Sequence, residues 1–460
     1  MEDFRQLLTP GKQVYLIGIG GVSMCALAEV LHGREMLVSG SDMAESAATR
    51  RLRALGIPVF IGHEASNLGG AQLAIRTAAV HDDNPEVAAL RARNIPLLER
   101  AQAWGALMRD CREAVCIAGT HGKTTTTSMM THAAMAAGLD PTVMIGGTLP
   151  LLGAGHRVGG GGLMVMEACE YCNSFLNFSP TIAAILNVEA DHLDFFKDLD
   201  DVLASFRAFA LRTPAETGTV VYNLDDEGAR RAAENTPRRR VSFGLSGKAD
   251  VRGEHLEQEK GMYSFDVVAN GKQYARVRLG LPGLHNVYNA LAVCACAVLL
   301  GIDGETLADG LAGFAGAARR FEKKGVFNGA QIMDNYAHHP GEIVPDLQAA
   351  RQMGYERVIC AFQPHTYSRT IALFDDFAAA LRLADKVYIS EIYAAREKNQ
   401  TGLSARALAE AVPGAVFCAT HDETAEQLRR EARPGDLILT MGAGDIYTVG
   451  ERLLTPEPVV

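Results

Sequence analysis

The stretch Ala118-Gly119-Thr120-His121-Gly122-Lys123-Thr124-Thr125-Thr126-Thr127 decides how the chain is read. The apolar run Ala114-Val115-Cys116-Ile117-Ala118 enters it and an uncharged run of Thr, Ser, Met and Ala leaves it toward Gly138, which predicts a strand, a tight turn and a helix. A phosphate would bind at such a turn. Gly119 and Gly122 let backbone N–H groups close around anionic oxygens, the helix N-terminus adds partial positive charge, and Lys123 can reach a β- or γ-phosphate. Thr124 or Thr125 offers a hydroxyl to Mg2+. The common phosphate loop, G-x-x-x-x-G-K-[ST], needs a glycine at 117; the chain has Ile117 there, so its G-T-H-G-K-T loop is two residues tighter.

With 460 residues the chain exceeds one ordinary core, and about three domains are expected. Charged residues at 21% and apolar ones at 48% read as globular rather than disordered. A net charge of −10 argues against a general nucleic-acid binder, and the basic run Arg238-Arg239-Arg240 reads as a solvated face. Apolar runs stay short of the roughly 18 residues that membrane insertion needs, and Met1-Glu2-Asp3-Phe4-Arg5 lacks the apolar core of an export signal, so a cytoplasmic location is expected. Nine cysteines fit reduced thiols; Cys169 and Cys172 have no second pair at metal spacing and read as free.

The strand Gln13 to Ile17 runs into the glycine turn Gly18-Ile19-Gly20-Gly21, a helix follows from Ser23 to His32, and a second strand from Met36 to Gly40 ends in Ser41-Asp42. This is a partial dinucleotide fingerprint, with Ser23 where the third glycine belongs, and it supports a nucleotide-diphosphate site more than it supports NAD. Further alternation (strand Gln72 to Thr77, helix Asn84 to Ala92, strand Ile95 to Leu98) completes a first doubly wound domain, residues 1–108. A second domain, 109–318, carries the phosphate loop and a β-rich middle from Thr219 to Leu279, with turns expected at Gly247, Gly253 and Gly271. A third, 319–460, alternates again between strands and helices.

Two acidic stretches end strands after the phosphate loop: Glu167-Ala168-Cys169-Glu170, and Asn187-Val188-Glu189-Ala190-Asp191-His192-Leu193-Asp194. In one parallel sheet both endings reach the edge that holds the loop, where Glu167 and His192 could complete a Mg2+ shell. In the third domain, Asp334-Asn335-Tyr336-Ala337-His338-His339-Pro340 and Gln363-Pro364-His365-Thr366-Tyr367-Ser368-Arg369 each join a strand to a helix, and Arg369 suits a carboxylate.

Taken in order, these motifs, with Leu284-His285-Asn286-Val287-Tyr288-Asn289 and Arg319-Arg320-Phe321, resemble the Mur ligases over nearly the whole chain. The resemblance implies an α/β protein of three domains: an N-terminal Rossmann-like UDP-binding domain, a central P-loop ATPase domain with a β-rich insertion, and a C-terminal Rossmann-like domain. It implies that ATP phosphorylates the lactyl carboxylate of UDP-N-acetylmuramate and that the amine of L-alanine attacks the acyl phosphate. Lys123, His192, His338 and Arg369 would then be catalytic. Gly119, Thr120, His121, Gly122, Lys123, Thr124, Thr125, Asn289, Arg320 and Asp334 would hold ATP, with Thr124, Glu167 and His192 on Mg2+. Gly18, Gly20, Gly21, Ser41, Asp42 and His63 would face the UDP moiety, and Tyr336 and His365 the amino acid or acyl phosphate. The expected partners are small molecules, without nucleic acid, in a monomer or homodimer. Related ligases often carry aspartates at 169 and 172 and arginine at 366, and some use a carbamylated lysine that Val202 to Phe209 does not supply. Three rival readings remain: a Mur ligase that returns a ready-made tripeptide to the same UDP-sugar, a nicotinamide-dependent oxidoreductase suggested by Gly18 to Asp42, and a P-loop motor.

Overall fold

The run Val14-Tyr15-Leu16-Ile17 is buried at every position, the pattern of a parallel strand covered by helices on both faces. In the computed structural model it belongs to β1 (Gln13–Ile17), followed by α1 (Val22–Gly33), β2 (Leu37–Asp42), α2 (Ala47–Ala54) and β3 (Val59–Ile61). Then come β4 (Leu73–Arg76), α3 (Pro85–Ala92), β5 (Leu97–Glu99) and α4 (Arg100–Met108). The structure describes residues 4–193, 195–395, 397–399 and 402–455; Asp194, quoted above beside His192, lies outside them. The five strands make one parallel sheet, β3-β2-β1-β4-β5. The order reverses beside β1, so a crevice opens at the carboxyl ends of β1, β2 and β4.

The glycine loop lies between β6 (Glu113–Ala118) and α5 (Lys123–Ala136), the strand and helix that its sequence predicts. The chain continues through β7 (Thr142–Leu149), β8 (Ala154–Arg157), β9 (Leu163–Glu167), β10 (Ile182–Ile185) and α6 (Leu199–Ala210) to β11 (Thr219–Asn223), α7 (Glu227–Ala233) and β12 (Arg239–Gly244). Sheet order here is β12-β11-β10-β6-β9-β7-β8, parallel except for β8. With Ile117 opposite Glu167 and Ala118 opposite Ile185, the ends of β9 and β10 flank the loop on one edge, as expected for the two acidic stretches.

Two compact units divide the chain, Met1–Arg252 with Ala292–Gly310 and Gly253–Leu291 with Leu311–Val460. The strands described so far belong to the first. There Trp104, 1% exposed, donates its indole N–H to Ser23 Oγ at 3.1 Å, and Arg51 and His156 approach Glu29 of α1 at 2.7 and 3.1 Å. The α-carbon of Gly105 lies flat against the 3-10 turn Tyr171–Asn177.

The β-rich stretch departs from its reading at two points. β13 (Val251–Glu259) runs straight through Gly253, where a turn is expected: that glycine takes a buried position in the strand, and the reversal comes at Lys260-Gly261, both at positive φ. The stretch also contains α7, started by Asp226, whose carboxylate accepts from the Ala229 N–H at 2.6 Å. In the second unit β14 (Met262–Ala269) and β15 (Lys272–Pro282) form an antiparallel hairpin with the turn at Gly271 as expected. After α8 (Leu284–Leu300) and α9 (Gly304–Ala312) come β16 (Glu322–Phe327), β17 (Ala330–Asn335), α10 (Pro340–Gln352), β18 (Arg357–Phe362), α11 (Tyr367–Ala372) and α12 (Phe374–Leu381). The chain closes with β19 (Lys386–Ser390), α13 (Ala405–Ala411), β20 (Val416–Cys418), α14 (His421–Glu431), β21 (Asp436–Met441) and α15 (Tyr447–Leu454). These last strands order as β16-β17-β21-β18-β19-β20, with β16 antiparallel and apolar clusters on both faces. Among the described residues no helix is long and apolar enough to cross a membrane.

A methyl group on Gly105 would lie 1.8 Å from the Asn177 carbonyl oxygen, a clash with backbone that no rotamer relieves. Gly105→Ala is expected to cost about 1–3 kcal/mol and to lower the first thermal unfolding transition by several degrees. Calorimetry showing an unchanged transition would mean that α4 and the turn separate without strain.

Candidate active site

The phosphate loop is braced from outside by a neighbouring strand end as well as by its own lysine. Thr120 N–H donates to the Asn187 carbonyl at 3.1 Å and His121 N–H to Asn187 Oδ1 at 2.7 Å, while Asn187 Nδ2 returns a bond to the His121 carbonyl at 3.1 Å. Gly122, at φ 82°, starts α5 and brings no capping side chain, so the first turn keeps its N–H groups for an incoming anion. Gly119 is needed for space as well as conformation: a Cβ there would sit 2.9 Å from Leu186 Cβ. The threonine run that follows suits a buried helix, because Thr127, Ser128 and Thr131 bond back to carbonyls one turn earlier.

Lys123 crosses the mouth of this loop. Its ammonium lies 3.1 and 3.0 Å from the two oxygens of Glu170, a carboxylate 2% exposed, and also donates to the Gly119 and Thr120 carbonyls. Burial is the largest single influence and pushes the ammonium pKa down; the charge and hydrogen bond of Glu170, with the neighbouring Cys169 and Glu167, together outweigh it and the net shift is upward, so Lys123 stays cationic. On the other side of the lysine's helix, Thr124 donates to Glu167 Oε1 at 3.2 Å, and Glu167 Oε2 accepts from Gly146 N–H at 2.7 Å. His192 Nε2 stands 3.8 Å from Glu170 and its ring packs on Tyr171 at 4.8 Å. His192, Cys172 and Asn173 all hold positive φ, strain of a kind that concentrates at working sites. Cys169 and Cys172 are exposed and form no disulfide, and the metal-ligating clusters found among the described residues do not include them. Thr125 is 7% exposed, inside the helix start rather than at the loop rim.

The expected UDP-facing residues gather at the crevice of the five-stranded sheet. Gly18 and Ile19 N–H groups bond to the Ser41 carbonyl, and Gly20 N–H donates to Asp42 Oδ2 at 2.8 Å, so the acid at the end of β2 braces the glycine turn. A Cβ at Gly20 would meet that same oxygen at 2.8 Å, and one at Gly21 would come no closer than 3.4 Å to any atom, the Gly18 carbonyl oxygen. Ser41 Oγ and His63 Nδ1 lie 2.9 Å apart, and both contact Glu86.

In the second unit Asp334 is 1% exposed; it accepts from Arg319 Nε at 2.9 Å and from Thr440 at 2.7 Å. Arg319 also donates to the Gly442 and Gly444 carbonyls and lies over the Tyr336 ring at 4.9 Å. Arg320 covers the same ring at 5.0 Å and approaches Glu342 at 3.9 Å. An aromatic chain runs Tyr336, His338, His365, Tyr393, each step 5.3–5.7 Å between ring centres. His338 is oriented by Glu342 at 3.2 Å, and Arg369 reaches His365 Nδ1 at 3.4 Å. Burial first, then the charges of His338 and Arg369, drive His365 down to about 4, so it is neutral near pH 7. Glu397 starts α11 by accepting from Tyr367 and Ser368 N–H. Asn289, 6% exposed, donates to Asn286 Oδ1 at 3.0 Å.

Sequence reasoning leaves out several of these groups. Glu170 and Asn187 stand inside motifs read for other residues; their roles follow from which strands are neighbours. Arg319 stands in a motif read for Arg320, and Glu86, Glu342 and Glu397 carry no motif of their own, being ordinary charged residues until folding brings their partners.

Three family descriptions match successive segments: Mur ligase family, catalytic domain, over residues 13–112; Mur ligase middle domain over 117–297; and Mur ligase, glutamate ligase domain, over 319–444. The chain is 43% identical to the UDP-N-acetylmuramate–L-alanine ligase of Caldicellulosiruptor saccharolyticus, across 97% of its own length and 99% of that protein. It is similar to the crystal structure of the UDP-N-acetylmuramate-alanine ligase of Thermotoga maritima (31% identity, TM-score 0.78, 96% and 98% of the two chains). A murein peptide ligase from Psychrobacter arcticus shares the fold at 23% identity, with TM-score 0.69 over 96% and 98%. The buried lysine–glutamate pair beside a G-T-H-G-K-T loop therefore stands in a recognised setting, and the chain belongs to the Mur ligase family.

Proposed function

We infer that the chain is an ATP-dependent ligase that joins L-alanine to UDP-N-acetylmuramate, giving ADP, phosphate and UDP-N-acetylmuramoyl-L-alanine for peptidoglycan synthesis. Its relatives carry that activity in their names, and the observation that carries it for this chain is Lys123, a part-buried cation at the mouth of the tight phosphate loop with Glu167 and Glu170 at the neighbouring strand end. The domains proposed are 1–108, 109–318 and 319–460. An ATP-consuming step belongs where ATP is, so the cytoplasm is the proposed location, with a monomer or homodimer as the working form.

A carboxylate is a poor electrophile, and phosphorylation makes one of its oxygens a leaving group. The loop N–H groups and Lys123 would take the charge that gathers on the transferring phosphoryl group. Oxygen donors at Thr124 and Glu167, 3.2 Å apart, fit a hard cation, and His192 is the proposed third ligand. Bound Mg2+ would add positive charge to the phosphate oxygens. Ser41, Asp42, His63 and the turn Gly18 to Gly21 would hold the UDP end. In the second unit Arg320 and Asn289 are assigned to the nucleotide, with Asp334 acting by fixing Arg319. Arg369 would grip the carboxylate of L-alanine with His365, whose Nδ1 accepts from Arg369 and which therefore offers its Nε2–H, while His338, its Nδ1 hydrogen on the Tyr336 carbonyl, accepts from the amine beside Tyr336. The acyl phosphate then loses phosphate as the C–N bond forms.

Lys123→Ala should stay folded at assay temperature but with a lowered unfolding transition, because Glu170 loses its counter-charge, and should lose roughly a hundredfold or more in kcat, the usual cost of removing a transition-state charge donor. Turnover within about threefold of the parent would place the phosphate elsewhere. Glu167→Ala should raise the Mg2+ concentration needed for half-maximal rate, read by titration at saturating ATP; an unshifted curve removes Glu167 from the metal. For the substrate itself, phosphate release from ATP with UDP-N-acetylmuramate should require L-alanine, with glycine or L-serine weaker because one methyl or hydroxyl changes pocket binding by about 1–3 kcal/mol. Turnover driven by L-Ala-γ-D-Glu-meso-diaminopimelate and not by L-alanine would assign the chain to tripeptide recycling.

A further inference from the structure

Glu86 is fully buried, and no step described so far uses it. It lies in the first turn of α3, and four side chains from separate places in the fold converge on its carboxylate. Tyr15 of β1 donates to Oε1 at 2.7 Å and Asn67 donates to the same oxygen at 3.3 Å. Ser41 of β2 donates to Oε2 at 2.6 Å, and His63 Nδ1 lies 2.9 Å from that oxygen. Burial, with Glu86 alongside, drives the Tyr15 phenol far above its ordinary pKa, so it remains a donor.

The protons can be counted. Ser41 has one hydroxyl hydrogen and spends it on Glu86 Oε2, while its oxygen also lies 2.9 Å from His63 Nδ1. Both atoms facing Nδ1, the serine oxygen and the carboxylate oxygen, therefore have lone pairs to offer and no hydrogen. The hydrogen between them belongs to His63, and a neutral imidazole protonated at Nδ1 presents a bare acceptor at Nε2. His63 sits beyond β3, next to Ser41 and the glycine turn, with 11% of its side chain exposed.

We propose that Glu86 is a positioning residue for nucleotide recognition: it locks His63 in the Nδ1–H form, so that Nε2 accepts a hydrogen bond from an N–H or O–H donor of the uridine moiety. The inference rests on the reading of this sheet edge as the UDP site. Ser41, its own hydrogen committed, serves the same carboxylate and can only accept from a ligand. A site that reads a donor with a fixed acceptor discriminates against a nucleotide that offers a lone pair at the same place.

The test uses the full chain and UDP alone as probe. Long-range proton–nitrogen NMR of histidine-labelled protein at pH 8, with the signal assigned by its loss in His63→Ala, should show His63 with the hydrogen on Nδ1; the hydrogen on Nε2 would overturn the proposal without any Glu86 variant being needed. Glu86→Gln should release the other tautomer and weaken UDP binding in calorimetry by about tenfold, the order of one buried hydrogen bond, with KM for UDP-N-acetylmuramate rising in step. KM for ATP and for L-alanine should stay within about twofold, which a general loss of folding would not allow. If His63→Ala and Asp42→Ala lose UDP while Glu86→Gln keeps both tautomer and affinity, the UDP site stands and the positioning role falls. If His63→Ala and Asp42→Ala bind UDP like the parent, the edge is not the nucleotide site and the proposal falls with that reading.

Discussion

A lysine taken out of water beside a turn of backbone carbonyls would be costly without a counter-charge, and Glu170 supplies it at 3.0–3.1 Å. Much of the first unit's architecture answers to that pair. Glu170 reaches the lysine because β9 is the immediate neighbour of β6, and the loop keeps its shape because Asn187, at the end of β10 on the other side, bonds three times to Thr120 and His121. Central placement of β6 is thus a chemical requirement as much as a packing solution: a cation and the groups that brace it need strand ends on both flanks.

What was legible beforehand follows from how local each signal is. The phosphate loop, its entering strand and its leaving helix could be read because glycine spacing and apolar runs report on adjacent residues, and the structure returns β6, the loop and α5 where they were expected. Strand-end convergence was legible too, since parallel pairing needs no register to bring carboxyl ends to one edge. Gly253 misled because composition marks a glycine as a turn, whereas its buried position in β13 makes it part of the strand. α7 was hidden by the β-branched residues on either side of it. Glu86 lay beyond reach for another reason: its meaning consists of Tyr15, Ser41, His63 and Asn67, which no periodicity ties together.

The second unit shows the same division between local and assembled chemistry. His338 and His365 could be singled out as strand-end histidines, but not the difference between them. Glu342 orients His338, while His365 is kept neutral by burial and by the cations around it. Asp334, expected beside the nucleotide, accepts from Thr440 and from Arg319, and Arg319 in turn anchors the Gly442–Gly444 backbone. A charged residue in a motif therefore acts at one remove as readily as by contact.

The close approach of Gly105 to the Asn177 carbonyl, together with the reach of His156 from β8 to Glu29 of α1, packs the helices of the five-stranded sheet directly against the sheet that carries the phosphate loop. Glycine is what permits such closeness at this contact. If one edge holds the uridine and the other the polyphosphate, this packing sets the distance between them. A molecule is then selected by reach: only one whose carboxylate lies the right distance from its nucleotide end arrives at the transferring phosphorus, whatever the rest of its surface looks like.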